Sequence, residues 1–209
     1  MGFGLIFLGW STFLFFKLIP PLRIVGCLLM LKGLYKLSDY GENFRRARNA
    51  CAVFLGYFIA FNILWLLSIL GIFDYTKIHT LVYFDEIIYR TILIVFSVYL
   101  YRALGDISKE VGFDKGIKRA KNCTSLIIVF LIFLAAQIVL SVMGAGKIEA
   151  YLHASLIIFE TVWLFYSAMY IYSCYMMIAT QEIIDDENKK MREYDEKYSF
   201  RTLKNKSKK

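Results

Sequence analysis

Arg90 stands four residues after Glu86, and only uncharged residues, Thr91 to Tyr101, separate it from Arg102. On a helix, positions four apart share a face, so the Glu86 carboxylate and the Arg90 guanidinium are placed to pair. A second carboxylate, Glu160, lies in another apolar segment and can meet Arg90 from a neighbouring helix. Polar residues continue the two stripes: Ser97 and Tyr101 beyond Arg90, and Ser167, Tyr170 and Cys174 beyond Glu160. Asn62 and Gln137 add amides from two further apolar runs. A guanidinium, two carboxylates, two amides and hydroxyls held inside apolar helices make a pocket for a small solute, an anion first of all. The candidate ligand-binding residues are therefore Arg90, Glu86, Glu160, Asn62, Gln137, Ser97 and Ser167. A structural reading competes with this one. Asn, Gln and Ser join membrane helices through hydrogen bonds of about 0.6 kcal/mol, and Tyr and Trp collect at membrane interfaces for their amphipathic rings.

Other chemistries find little support. No HExxH and no GxxxxGK[ST] occurs, so neither a zinc hydrolase nor a phosphate loop is indicated, and no enzymatic activity is expected. His79 precedes Glu86 by seven residues, and His153 precedes Glu160 by seven. Seven residues are two helical turns, about 10.5 Å. Coordination distances are about 2 Å, so one helix cannot offer both members to one ion. Neither a metal nor a cofactor is expected. Cys27, Cys51, Cys123 and Cys174 stand singly with no CxxC, as small apolar residues at helix contacts do.

The elements that must hold these residues are membrane helices. Hydrophobic residues make up 58% of the chain, against roughly 45–50% in soluble domains, and mean hydropathy is +0.53. Residues 50–73, 122–146 and 161–181 carry no charge, and each exceeds the ~20 helical residues that cross a ~30 Å hydrocarbon core. The uncharged stretch between Arg90 and Arg102 is too short to cross alone. A fourth helix, over about 83–104, must therefore carry Arg90 within it. Residues 1–16 are uncharged. Pro20 or Pro21 can open the next helix, because proline suits a first turn. That helix runs to about residue 37, with a re-entrant hairpin as the alternative for the whole segment. A cleaved signal peptide is not indicated, since no basic stretch precedes the apolar run.

A repeat organises these helices. Arg45-Arg46-Ala47-Arg48-Asn49 returns as Lys118-Arg119-Ala120-Lys121-Asn122, and the pair His79 and Glu86 returns, one position further offset, as His153 and Glu160. Two apolar runs per unit make a duplicated membrane hairpin, related by an axis along the membrane normal. The expected fold is an all-α polytopic membrane bundle of six spans in three helical hairpins, at least two of them a parallel internal repeat. Residues 1–40 form the first hairpin, 41–112 and 113–184 the repeat units, and 185–209 a charged cytoplasmic tail.

Charge then orients the bundle. Residues 36–49 and 102–121 and the tail hold nearly all Lys and Arg, which places them and both termini in the cytoplasm of a plasma-membrane protein. In the first outer loop Lys17 and Arg23 dissent, while Lys77 and Lys147 in the other outer loops are offset by acidic neighbours. The tail, acidic at 182–187 and lysine-rich at its end, reads as a helix continuing from the last span, with its final six residues disordered. The lipid bilayer is the principal partner, with anionic headgroups at the basic loops and tail. A small solute or a protein partner is a further possibility. The net charge of +8 is spread along the membrane face, so nucleic-acid binding is not indicated.

Overall fold

The computed structural model describes residues 2–15, 20–72, 79–143, 148 and 150–177. These residues form six helices and the turns between them: α1 (Gly2–Phe15), α2 (Pro20–Leu37), α3 (Glu42–Ile69), α4 (His79–Glu110), α5 (Asp114–Val142) and α6 (Ala150–Met177). Four of them, α3 to α6, are long and apolar enough to cross a membrane. At ~1.5 Å per residue the 28-residue α3 and α6 each measure roughly 42 Å. The chain is thus an all-helical bundle suited to a lipid bilayer.

The six-span expectation is met only in part. The N-terminal hairpin is present and α2 opens at Pro20, but α1 has 14 residues, roughly 21 Å against a ~30 Å core. Its partner α2 has 18 residues and carries Arg23, Lys32 and Lys36. The two helices approach very closely. A Cβ on Gly9 would sit 2.5 Å from the Gly26 carbonyl oxygen, and one on Gly33 would sit 2.7 Å from that of Gly2. Glycines seven apart on both helices thus meet in antiparallel register, as small residues do where helices pack without a hydrophobic drive.

Although short, α1 lies at the centre. Phe3, Ile6, Trp10 and Phe13 are buried, spaced three and four residues apart along one face. Phe3 meets Phe44 of α3 edge-on, Trp10 packs on Phe96 of α4, and the Trp10 indole donates to the Leu164 carbonyl of α6 at 3.1 Å. Further along, Phe13 packs on Phe54 and Phe58 of α3. The hairpin therefore stops near the level of Phe58, while α3 continues to Ile69, roughly 16 Å further. Beyond Phe58 no described residue of α3 is buried.

At the opposite end lie the basic residues. Here α4 overruns its span to Glu110, turns at Gly112 (φ 68°) and passes into α5. Only glycine adopts such a φ without strain. Asn43 donates to Asp106 at 2.7 Å, tying α3 to α4, and Arg119 of α5 donates to Ser173 of α6. Each repeated cassette lies in the first turns of its helix, with Ala47 buried and Ala120 half-buried between exposed and half-buried basic residues.

Burial along α4 matches burial along α6 when Glu86 is laid on Glu160. Tyr89, Arg90, Leu93, Phe96, Ser97 and Leu100 are buried, and so are Trp163, Leu164, Ser167, Tyr170, Ile171 and Cys174. The helices that carry the two cassettes, α3 and α5, do not match in this way. Laying Asn49 on Asn122 carries the buried Phe44, Ala47, Cys51, Phe54 and Phe58 onto α5 positions of which only Ile127 is buried. The side chain of His79, the connections at 73–78 and 144–147, and the tail from 178 onward lie outside the described residues.

Candidate binding site

Arg90 is 2% exposed and faces the bundle interior, where a guanidinium must be compensated. Its Nη2 lies 2.6 Å from Glu86 Oε1, one turn back on α4. Its Nη1 donates to Gln137 Oε1 of α5 at 2.9 Å, and its Nε lies 3.5 Å from Glu160 Oε2 of α6. The guanidinium carbon stands 6.0 Å from the centre of the Phe130 ring. Three helices thus converge on one cation.

The surrounding groups fix this arrangement. Tyr89 donates its hydroxyl proton to Glu160 Oε1 at 3.2 Å, which anchors a carboxylate that is itself 2% exposed. Gln137 accepts from Arg90 with its oxygen, so its amide NH₂ points to His153 Nδ1, 3.0 Å away. That hydrogen bond makes Nδ1 an acceptor and leaves the ring proton of a neutral His153 on Nε2. The same Nδ1 lies 3.5 Å from Glu86 Oε1, a contact that is attractive only when that nitrogen carries a proton. Exposure falls from one side of the cluster to the other: His153 and Glu86 side chains are 39% and 28% exposed, whereas Arg90 and Glu160 are at 2%. The more exposed side of the cluster thus faces away from the basic end of the bundle.

A second cation stands nearby. Arg23 lies over the Phe58 ring at 5.8 Å, and Phe58 in turn packs edge-on against Tyr89. The hairpin α1–α2 ends at the layer of the ionic cluster and brings this positive charge to its rim.

Four sequence-predicted residues, Glu86, Arg90, Gln137 and Glu160, come together. The other three do not join them. Ser97 and Ser167 are buried toward the basic end, where the Tyr101 hydroxyl contacts Ser167 Oγ and Ser97 and Trp163 Nε1 lie beside it. The Phe130–Trp163 ring contact at 5.4 Å separates this hydroxyl layer from the ionic one. Asn62 donates to Phe58 O at 2.8 Å within its own helix. The single polar stripe expected from sequence is thus two layers. Tyr89, His153, Phe130 and Arg23 join the site without having been picked from sequence as ligand-binding. Two of them left a trace there: His153 by its repeated spacing to Glu160, and Arg23 as a cation on the wrong side of the charge bias.

Chemically, the two carboxylates hold Arg90 differently. Glu160 is buried, anchored by Tyr89 and carried on another helix, so it is a fixed counter-charge. Glu86 is partly exposed and pairs with Arg90 from one turn back on the same helix, so it adds no link between helices. No protein-family model matches this chain, and no curated protein or solved structure shows significant similarity to it.

Proposed function

We propose that the protein is a transport-related, non-catalytic membrane protein whose Arg90 cluster binds a small anionic solute, with Glu86 holding the site until the solute takes its place. One observation carries this reading: a buried arginine has two carboxylate partners, of which Glu86 is 28% exposed and Glu160 only 2%. A solute carboxylate or phosphate offers the bidentate acceptor that a guanidinium fork matches. Gln137 and His153 then supply neutral hydrogen bonds beside it. The full architecture we propose is six spans, the last two hairpins a parallel duplication, with both termini in the cytoplasm and the cluster opening outward in the plasma membrane.

The test is calorimetric titration of the detergent-solubilised protein with acetate, succinate and inorganic phosphate. Glu86→Gln should tighten binding several-fold by removing the competitor, and Arg90→Gln should abolish it. Absence of binding to both wild type and Glu86→Gln would end this reading. Topology is checked by thiol labelling in a variant lacking the native cysteines. Ile72→Cys and Ile148→Cys should label from outside, and Lys115→Cys only after permeabilisation.

A second reading, a scaffold that binds a cytoplasmic partner through the basic loops and tail, draws support from the filled interior around Trp10, Phe13, Phe54 and Phe96. Capture of a partner that depends on residues 185–209, together with solute-blind calorimetry, would favour it.

A further inference from the structure

At the basic end, α4 and α5 diverge from a close contact, where a Cβ on Gly105 would lie 3.3 Å from the Ala120 Cβ, and leave a cleft of about 440 Å³. The small residues Gly105 and Ala120 form its floor, with Tyr101 and Ile117 beside them, and Arg102, Lys109 and Lys121 stand around it. Its one carboxylate, Asp106, is already engaged, by Lys109 at 3.4 Å and by Asn43 at 2.7 Å. Arg102 and Lys121 make no ion pair or hydrogen bond among the described residues. Two cations from two helices therefore flank a shallow hollow with no negative charge left to meet them.

The surface beyond the cleft says what kind of anion fits. On α5, Lys121, Ser125, Ile128 and Ile132 follow at spacings of four, three and four, which is one helical face. Ser125, Ile128 and Ile132 are all exposed. On α4, the stripe that starts at Arg102 continues through half-buried Val98 to exposed Val95. Moving away from the basic end, the groove thus passes from cations through a hydroxyl to bare aliphatic surface. A free phosphate uses only the first part of that profile. A lipid uses all of it, with its phosphate between Arg102 and Lys121, its glycerol region at Ser125 and its acyl chain along Ile128, Ile132 and Val95.

We propose that this cleft is a binding site for one anionic phospholipid at the basic membrane face. Basic clefts between transmembrane helices hold lipid headgroups by the same charge complementarity. The site is separate from the Arg90 cluster and does not depend on its function.

Native mass spectrometry of the detergent-solubilised protein tests it, with phosphatidylglycerol, phosphatidylcholine and inorganic phosphate titrated in turn. Wild type should retain one phosphatidylglycerol at concentrations where phosphatidylcholine and phosphate leave no adduct. Arg102→Gln/Lys121→Gln should weaken that first binding event by about tenfold or more, at roughly fivefold per basic residue. Lys115→Gln/Lys118→Gln removes the same charge from the same end but outside the cleft, and should leave the event within about twofold of wild type. All four side chains are exposed, and helicity and melting temperature of both variants should equal wild type. An equal loss in both double variants would reduce the effect to general attraction and overturn the site. So would phosphate binding as well as the lipid, which would make the occupant a free anion.

Discussion

Helices α4 and α6 bury the same six positions when Glu86 is aligned with Glu160, yet they fill them with opposite chemistry. Arg90 stands where α6 has Leu164, and Ser97 where it has Ile171; Leu93, Phe96 and Leu100 stand where α6 has Ser167, Tyr170 and Cys174. Helices α3 and α5 and their contacts differ as well. Tyr57 of α3 donates to Asp85 of α4 at 2.9 Å, whereas the matching positions of the second unit, Phe130 and Phe159, stack ring on ring at 6.1 Å. The shared burial pattern shows that packing shape tolerates such exchanges. Polarity does not, because a charged or hydrogen-bonding group inside an apolar bundle must find a partner within the protein. The result is two polar layers, ionic and hydroxyl, each assembled from both helices and placed at different depths.

The largest effect should come from breaking the ionic layer on one helix only. Arg90→Met leaves Glu160 buried without its cation, and loss of one partner from a buried pair costs about 3–5 kcal/mol. Leu164→Met, at the matching position of α6, is a near-isosteric apolar change that should cost under about 1.5 kcal/mol. Denaturant unfolding in detergent would measure both, and equal losses would break the contrast between the helices. Next comes the hydroxyl layer: Tyr101→Phe removes the contact to Ser167 Oγ, which keeps its own bond to the Trp163 carbonyl at 2.7 Å, and should cost about 1.5 kcal/mol. The smallest effect is at the α3–α4 contact. Tyr57→Phe removes a half-buried hydrogen bond to the Asp85 carboxylate and should cost about 1 kcal/mol, read in the same assay.

Much of this was legible in the chain. The spacing of Arg90 to Arg102 forced the arginine into a helix that spans, and burial then forced it inward to carboxylates already visible at four residues and across the repeat. The α5 amide Gln137 followed from the same logic. What stayed hidden was set by three-dimensional contact. Nothing in periodicity tells that Gly2, Gly9, Gly26 and Gly33 pair into a hairpin, or that α1 occupies the centre as a 14-residue helix. Because that hairpin ends at the ionic layer, Arg23 arrives at the site rather than in an outer loop. Ser97 and Asn62 were drawn to the cluster by residue type, but helix rotation and the Phe130–Trp163 contact placed them elsewhere.

The central claim is that Arg90 and Glu160 form an energetically coupled pair joining α4 to α6. A double-mutant cycle measures it directly, with unfolding free energies in detergent for wild type, Arg90→Met, Glu160→Gln and the double variant. The account predicts that the second substitution rescues part of the first, with a coupling energy of at least about 1.5 kcal/mol, inside the range for residues sharing an ionic network. Losses that add to within about 0.5 kcal/mol would contradict the pairing and the binding site built on it.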